Sequence, residues 1–366
     1  MKRIRENFQR HIDNKRLTGA TYAISVKGNI ICRETVGYSD CGQSVPLKDD
    51  AIFRLASMTK PITCTAAMIC RERGLLDLDT PIGKYIDGFC HKGVGKLTNG
   101  ELTCTEEARQ ITLRDIFTHS SGLGSGPIGN YQFGLIKKPE RLSENASAWN
   151  GRYLDFATGS RSVYSGIVAF ELAAYTVERV TGKPFAEFLN EEIFSRLSMK
   201  DTCYRLNADQ IPRLVEMPLP DGNGNIKRVD MGLRGFNAFA EGYTGGSAGL
   251  FSTLDDYLKF AQMLARHGEL SGVRILSEES VDEMSRTQFA EWGLSMYVRG
   301  AKSEKQPLPE GSFGWSGAYG THFWVEPKSE TVAVLMLNHG NCGGSNSPFS
   351  AQFERLSEAA LADCVK

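Results

Sequence analysis

The stretch Phe53-Arg54-Leu55-Ala56-Ser57-Met58-Thr59-Lys60-Pro61 opens a helical run that continues through Ala66, Met68 and Ile69 to a stop at Gly74. Proline is tolerated in the first turn of a helix, where the amides have no intrahelical partner, so Pro61 requires this helix to begin at about Ser57 or to be kinked there. The Ser57 hydroxyl is thereby placed at the positive end of a helix dipole, beside N–H groups that suit a developing oxyanion. Lys60 follows three residues later on the same face. A serine becomes a useful nucleophile when a neighbour takes its proton, and a lysine can do so once burial and nearby positive dipoles lower its pKa. The S-x-x-K spacing alone is a weak signal, because a helical lysine is ordinarily a solvated surface residue.

Outward from this helix, the two chain ends carry strand patterns. Ile4, Phe8 and Ile12 recur at four-residue spacing, an amphipathic first helix. Thr21–Val26 and Ile30–Val36 are β-rich runs around the turn Lys27-Gly28-Asn29, and Thr321–Val325 and Thr331–Leu337 flank Glu326–Glu330 in the same manner. Residues 349–362 read as a closing helix. The middle differs, with helical patterns at Ile167–Val180, closed by Gly182, and Thr253–Ala265, closed near Gly268, between Gly- and Ser-rich loops.

The arrangement expected is α+β: an antiparallel sheet built from both chain ends, flanked by helices, with a mainly helical lobe inserted. Residues 1–366 are expected to form one catalytic domain, its sheet lobe spanning about 1–80 and 285–366 and its helical lobe about 81–284. A cleft between the lobes is the expected site.

Composition narrows the function classes. With 42 Lys and Arg against 43 Asp and Glu, the formal charge of -1 offers no general attraction to nucleic acid or anionic membrane, which leaves a small molecule as the expected partner. The charged opening Met1-Lys2-Arg3-Ile4-Arg5 does not read as a secretory signal, and no apolar run is long enough to span a bilayer, so a cytoplasmic location is expected. Nine cysteines, an odd number without a C-x-x-C pair, suit reduced thiols better than disulfides or zinc. The six histidines show no metal-ligand spacing, so no metal is expected. Nothing in the sequence sets a subunit number.

Two further segments follow Ser57 and Lys60 in a telling order. Val163-Tyr164-Ser165-Gly166 precedes the helix that starts near Ile167, and Gly314-Trp315-Ser316-Gly317-Ala318-Tyr319-Gly320 enters a strand. Together with Ile111–Leu123, these resemble the penicillin-recognising serine hydrolases, the superfamily of class C β-lactamases, DD-peptidases and family-VIII carboxylesterases. The resemblance covers nearly the whole chain and implies a β-lactamase/transpeptidase-like fold without a cofactor. It implies Ser57 as the acylated nucleophile, with Lys60 and Tyr164 sharing the proton work. It also implies backbone N–H groups of Ser57 and Ala318 as the oxyanion hole, and Trp315, Ser316 and Gly317 as substrate-binding residues.

The chain departs from β-lactamases at two places. Gly166 stands where they carry the asparagine of Tyr-x-Asn, and Trp315 where they carry the lysine of Lys-Thr-Gly. A carboxylesterase is therefore ranked ahead of a β-lactamase or a D-aminopeptidase or amidase, with a stalled penicillin-binding protein as the reading from another class. Arg299 or Lys302 could still supply the missing positive charge. Gly245-Gly246-Ser247-Ala248-Gly249 matches the G-x-S-x-G elbow of α/β-hydrolases, but the polar, glycine-broken residues before it cannot form the required strand. His322 and His339 read either as acid/base partners or, as lone histidines more often are, as packed strand-end residues, and His119 reads as structural.

Overall fold

The computed structural model describes residues 1–301, 303, 306–340, 344 and 347–364. Six strands form one sheet: β1 (Gly19–Val26), β2 (Asn29–Gly37), β3 (Tyr297–Val298), β4 (Phe313–Ser316), β5 (His322–Glu326) and β6 (Thr331–Met336). Their order is β3-β4-β5-β6-β1-β2, and every pair is antiparallel. The central pairing joins the chain ends, with Thr21 opposite Met336 and Val26 opposite Thr331.

Alternation along β6 explains why its sequence is apolar throughout. Ala333 and Leu335 belong to one core and Val332, Val334 and Met336 to the other, because both sheet faces are covered. On the first face lie α1 (Lys2–Asp13) and α5 (Pro348–Cys364), which bury Ile4, Phe8, Ile12 and Phe353 against Tyr22, Ile24 and Trp324. The second face packs on the helix Leu254–Ala265 (α4), and the same core takes in α2 (Thr59–Glu72) and α3 (Val168–Thr181), which pack on each other. Thr253 caps α4 by accepting the Asp256 N–H, and Gly182, at φ +69°, ends α3 in the left-handed conformation that a glycine adopts freely.

One expectation needs correction. Ser57 does not start the α-helix: Ala56–Met58 form a 3₁₀ turn and α2 begins at Thr59, which puts Pro61 in its first turn without a clash. The middle segment also carries β-structure, with a hairpin His91–Thr98/Glu101–Glu106 joined by Arg152–Leu154 in a three-stranded sheet. Its signal is the Asn99-Gly100 turn, both residues at positive φ, as a tight hairpin turn requires.

Seven cysteines, at 32, 41, 64, 70, 90, 104 and 203, are free thiols; Cys342 and the Cys364 side chain lie outside the described residues. Among the described residues no helix is long and apolar enough to cross a membrane.

The packing of α1 on the sheet yields a stability prediction. Phe8 is fully buried, its ring 5.6 Å from Tyr22 and 6.4 Å from Phe353. Phe8→Ala should lower the unfolding free energy in urea by about 3–5 kcal/mol. A loss below about 1 kcal/mol would mean that α1 lies outside the cooperative core.

Candidate active site

Three segments converge on Ser57, and the first is the residues just before it. Phe53–Arg54 pair with Phe251–Ser252, and the Leu55 N–H donates to Leu250 O at 2.9 Å. The buried Arg54 guanidinium donates to the carbonyls of Val215, Gly232 and Arg234, and burial lowers its pKa to about 10. Asn338 accepts the Arg54 N–H and donates to Arg54 O. This clamp holds Ala56 at φ +45°, a left-handed conformation that costs an L-residue about 1–2 kcal/mol. Ser57 follows directly, 9% exposed.

Gly317 lies against the same segment. A Cβ there would sit 2.2 Å from Thr321 Oγ1 and 2.3 Å from Leu55 O, and Thr321 Oγ1 itself donates to Leu55 O. Gly317 thus allows a close backbone approach and does not face the cavity, which departs from its expected substrate contact.

The second segment is the first turn of α2. Lys60 is fully buried, and its Nζ lies 3.3 Å from Ser57 Oγ, 2.7 Å from Gly166 O and 2.9 Å from Ser247 O. Three acceptors match the three N–H donors of an ammonium. The rings of Tyr164 and Phe170 stand 5.1 and 5.2 Å from Nζ and supply cation–π contacts.

Tyr164 comes from the third segment, the loop before α3, and its hydroxyl donates to Ser57 Oγ at 2.8 Å. His119 sets this loop from both sides of Tyr164. Its carbonyl accepts the Val163 N–H, and its Nδ1 accepts the Ser165 N–H at 3.2 Å. Burial and the nearby Lys60 charge hold its pKa well below the usual histidine value. The imidazole packs 4.7 Å from the Tyr164 ring and 4.3 Å from Trp292. His119 is packed, as the sequence reading expects, and it also positions Tyr164.

Ser247 occupies a different place. It is fully buried, and its hydroxyl and N–H both donate to Glu171 Oε1, at 2.5 and 3.0 Å. Burial raises the Glu171 pKa, and the hydrogen bonds offset only part of that rise. The elbow-like motif is therefore a turn whose Ser247 carbonyl supports Lys60.

A cavity of about 600 Å³ opens over Ser57, lined by Tyr164, Trp315, Ser316 and Ala318. Trp292 and Tyr297 complete an aromatic wall, with Glu291 and Arg299 adding charge. Trp315 lies 4.7 Å from Trp292 and 5.3 Å from Tyr164, ring to ring. Its Nε1 is buried and finds no partner among the described residues. The sequence reading missed Glu291, Trp292 and Tyr297, which follow no helical or strand period. Lys302 lies outside the described residues.

A model of the family described as Beta-lactamase matches residues 4–347. The chain belongs to the beta-lactamase family. It is similar to protein Rv1367c of Mycobacterium tuberculosis, 30% identical with 88% of this chain and 86% of that one covered. It is also similar to esterase EstB of Burkholderia gladioli, 27% identical over 94% of this chain and 91% of that one. Among solved structures, unliganded simvastatin synthase (LovD) of Aspergillus terreus shares the fold, with a TM-score of 0.80, 22% identity and coverage of 98% and 96%. The chain is thus a serine hydrolase of the beta-lactamase family with esterase relatives. The antiparallel sheet with flanking helices is that family's fold.

His119 yields a pH prediction. An unfolded histidine titrates near 6.5, and the folded value is depressed, so the unfolded chain binds more protons between the two. Stability should therefore be full above about pH 6.5 and fall as pH drops below it. His91 and His339, also lowered by burial, act in the same direction. The fall in Tm from pH 7 to pH 5 should be shallower in His119→Gln than in the unsubstituted protein. Equal slopes would remove His119 as a source of the acid sensitivity.

Proposed function

We propose that this protein is a carboxylesterase acting on small neutral esters through an acyl-enzyme on Ser57. The observation that carries the proposal is the convergence on Ser57 Oγ of Tyr164 OH at 2.8 Å and Lys60 Nζ at 3.3 Å, at the base of a cavity. In acylation Ser57 Oγ attacks the ester carbonyl. For the proton to move, the Lys60–Tyr164 pair must first hold one proton fewer than an ammonium and a phenol together carry; it then takes the Ser57 hydroxyl proton and delivers it to the departing alkoxide, which leaves as the alcohol. Water then adds to the acyl-enzyme, giving the acid and returning the proton to Ser57. The two groups share one hydroxyl and act as a coupled unit. The backbone N–H groups of Ser57 and Ala318, both on residues that line the cavity, are assigned to the oxyanion.

The ester preference rests on the cavity wall. Trp315 brings an indole whose N–H is buried away from solvent, so it offers an apolar surface and no charge. Gly166 presents no side chain, and its carbonyl is already bonded to Lys60. Trp315 and Ser316 are assigned to contact the acyl or alcohol group, whereas Gly317 keeps the strand close to Leu55.

Ser57→Ala should abolish fluorophosphonate labelling and reduce turnover of p-nitrophenyl butyrate to background, while Ser247→Ala should still be labelled. Labelling that persists in Ser57→Ala and vanishes in Ser247→Ala would transfer the nucleophile to Ser247.

For substrate choice, kcat/KM for p-nitrophenyl butyrate should exceed that for benzylpenicillin by at least about tenfold, equivalent to about 1.4 kcal/mol. Equal or faster penicillin turnover, followed by steady-state hydrolysis at 25 °C, would reverse the ranking and leave the serine mechanism in place.

A further inference from the structure

Arg299 places a guanidinium in the wall of a cavity that otherwise suits neutral substrates. A free cation there would attract any substrate bearing a carboxylate. Helix α5 supplies its counter-charge: Glu354, 5% exposed, accepts a hydrogen bond from Arg299 Nη2. The same carboxylate oxygen lies 3.1 Å from His322 Nε2, as a close polar contact. On the other side of that ring, Nδ1 is 2.7 Å from the Oγ of Ser316, a residue in the cavity lining. Ser316 and His322 are direct partners across β4 and β5, so both side chains leave the sheet on the face covered by α5.

Arg299, Glu354, His322 and Ser316 thus form one continuous polar line that ends at the cavity. Burial pushes the Glu354 carboxyl up, but His322 and Arg299 more than offset this and hold it below the ordinary value. The Arg299 cation also stacks 4.9 Å from the Tyr297 ring. Glu291, exposed at the rim, adds a second negative group.

We propose that Glu354 is a specificity-determining residue: by pairing with Arg299 and His322 it cancels the positive charge on the Ser316 side of the cavity and disfavours substrates whose acyl group carries a carboxylate. The proposal rests on the Ser57 acyl-enzyme reading for where the acyl group lies. Glu354 touches no substrate. It acts through Arg299, whose guanidinium would otherwise be free to bind an anion, and through the Ser316 hydroxyl that His322 orients.

The test compares mono-p-nitrophenyl glutarate, which is anionic, with p-nitrophenyl pentanoate, a neutral ester of equal acyl length. Glu354→Gln should raise the glutarate-to-pentanoate ratio of kcat/KM by at least about tenfold, and the gain should shrink as salt is added. Glu354→Asp should keep the original ratio. Arg299→Gln, which leaves Glu354 without its cation, should lower it. Loss of packing alone would not discriminate between the two esters. An unchanged ratio in folded Glu354→Gln protein overturns the proposal. Should that variant not fold, Arg299→Gln decides, and a ratio that stays or rises overturns it. If no form turns over either ester, the Ser57 reading fails, and glutarate binding followed by tryptophan fluorescence decides the charge proposal instead. Binding at least about tenfold tighter in Glu354→Gln supports it, and equal binding overturns it.

Discussion

The buried ammonium of Lys60 organises the site. With no solvent available, Nζ must find its acceptors within the protein, and it takes one from each of three segments: Ser57 Oγ, Gly166 O and Ser247 O. Those segments are otherwise far apart in the chain. A missing acceptor would leave a buried charge partly unsatisfied, so the loop before α3 and the turn at Gly245–Ala248 are both constrained by one side chain. Glu171 reinforces the second of these from behind, through the hydroxyl and N–H of Ser247.

Around that centre, strain and compensation sit next to each other. Ala56 is held in a left-handed conformation immediately before Ser57, and the buried Arg54 and Asn338 bonds fix the backbone that imposes it. Gly317 lets strand β4 continue into a loop that touches Leu55 without a side chain between them. His119 does the equivalent on the opposite wall, bonded to the residues on either side of Tyr164. Hydrogen-bonded segments thus bring Ser57, Lys60 and Tyr164 together, and the proposed acyl transfer rests on that geometry.

The cavity combines an aromatic wall with charges that are largely spent internally. Lys60 is enclosed by carbonyls and rings, and Arg299 is paired with Glu354. Toward the open space stand Trp292, Tyr297 and Trp315, with Glu291 exposed at the rim, and the proposed preference for neutral acyl esters rests on that aromatic surface.

How much of this was legible from the sequence follows from the range of the forces involved. Local rules were enough for α1, the β1–β2 hairpin and the run Thr331–Leu337, because periodicity and turn residues act over a few positions. Pro61 placed the helix start to within two residues, and the order of Ser57, Lys60, Tyr164 and Trp315 carried the family resemblance. The hairpin at Asn99-Gly100 was also legible, although the helical reading of the middle segment passed over it. The sequence by itself determined the fold class and the S-x-x-K pair. Tertiary structure alone decided that Ser247 backs Lys60 with its carbonyl, that Gly317 faces Leu55, that Trp292 and Tyr297 wall the cavity, and that Glu354 neutralises Arg299. Each of these joins residues tens to hundreds of positions apart, and no local propensity encodes such a pairing; the closing of the sheet, β1 against β6, and the contact of α1 with α5 bring the far ends of the chain together.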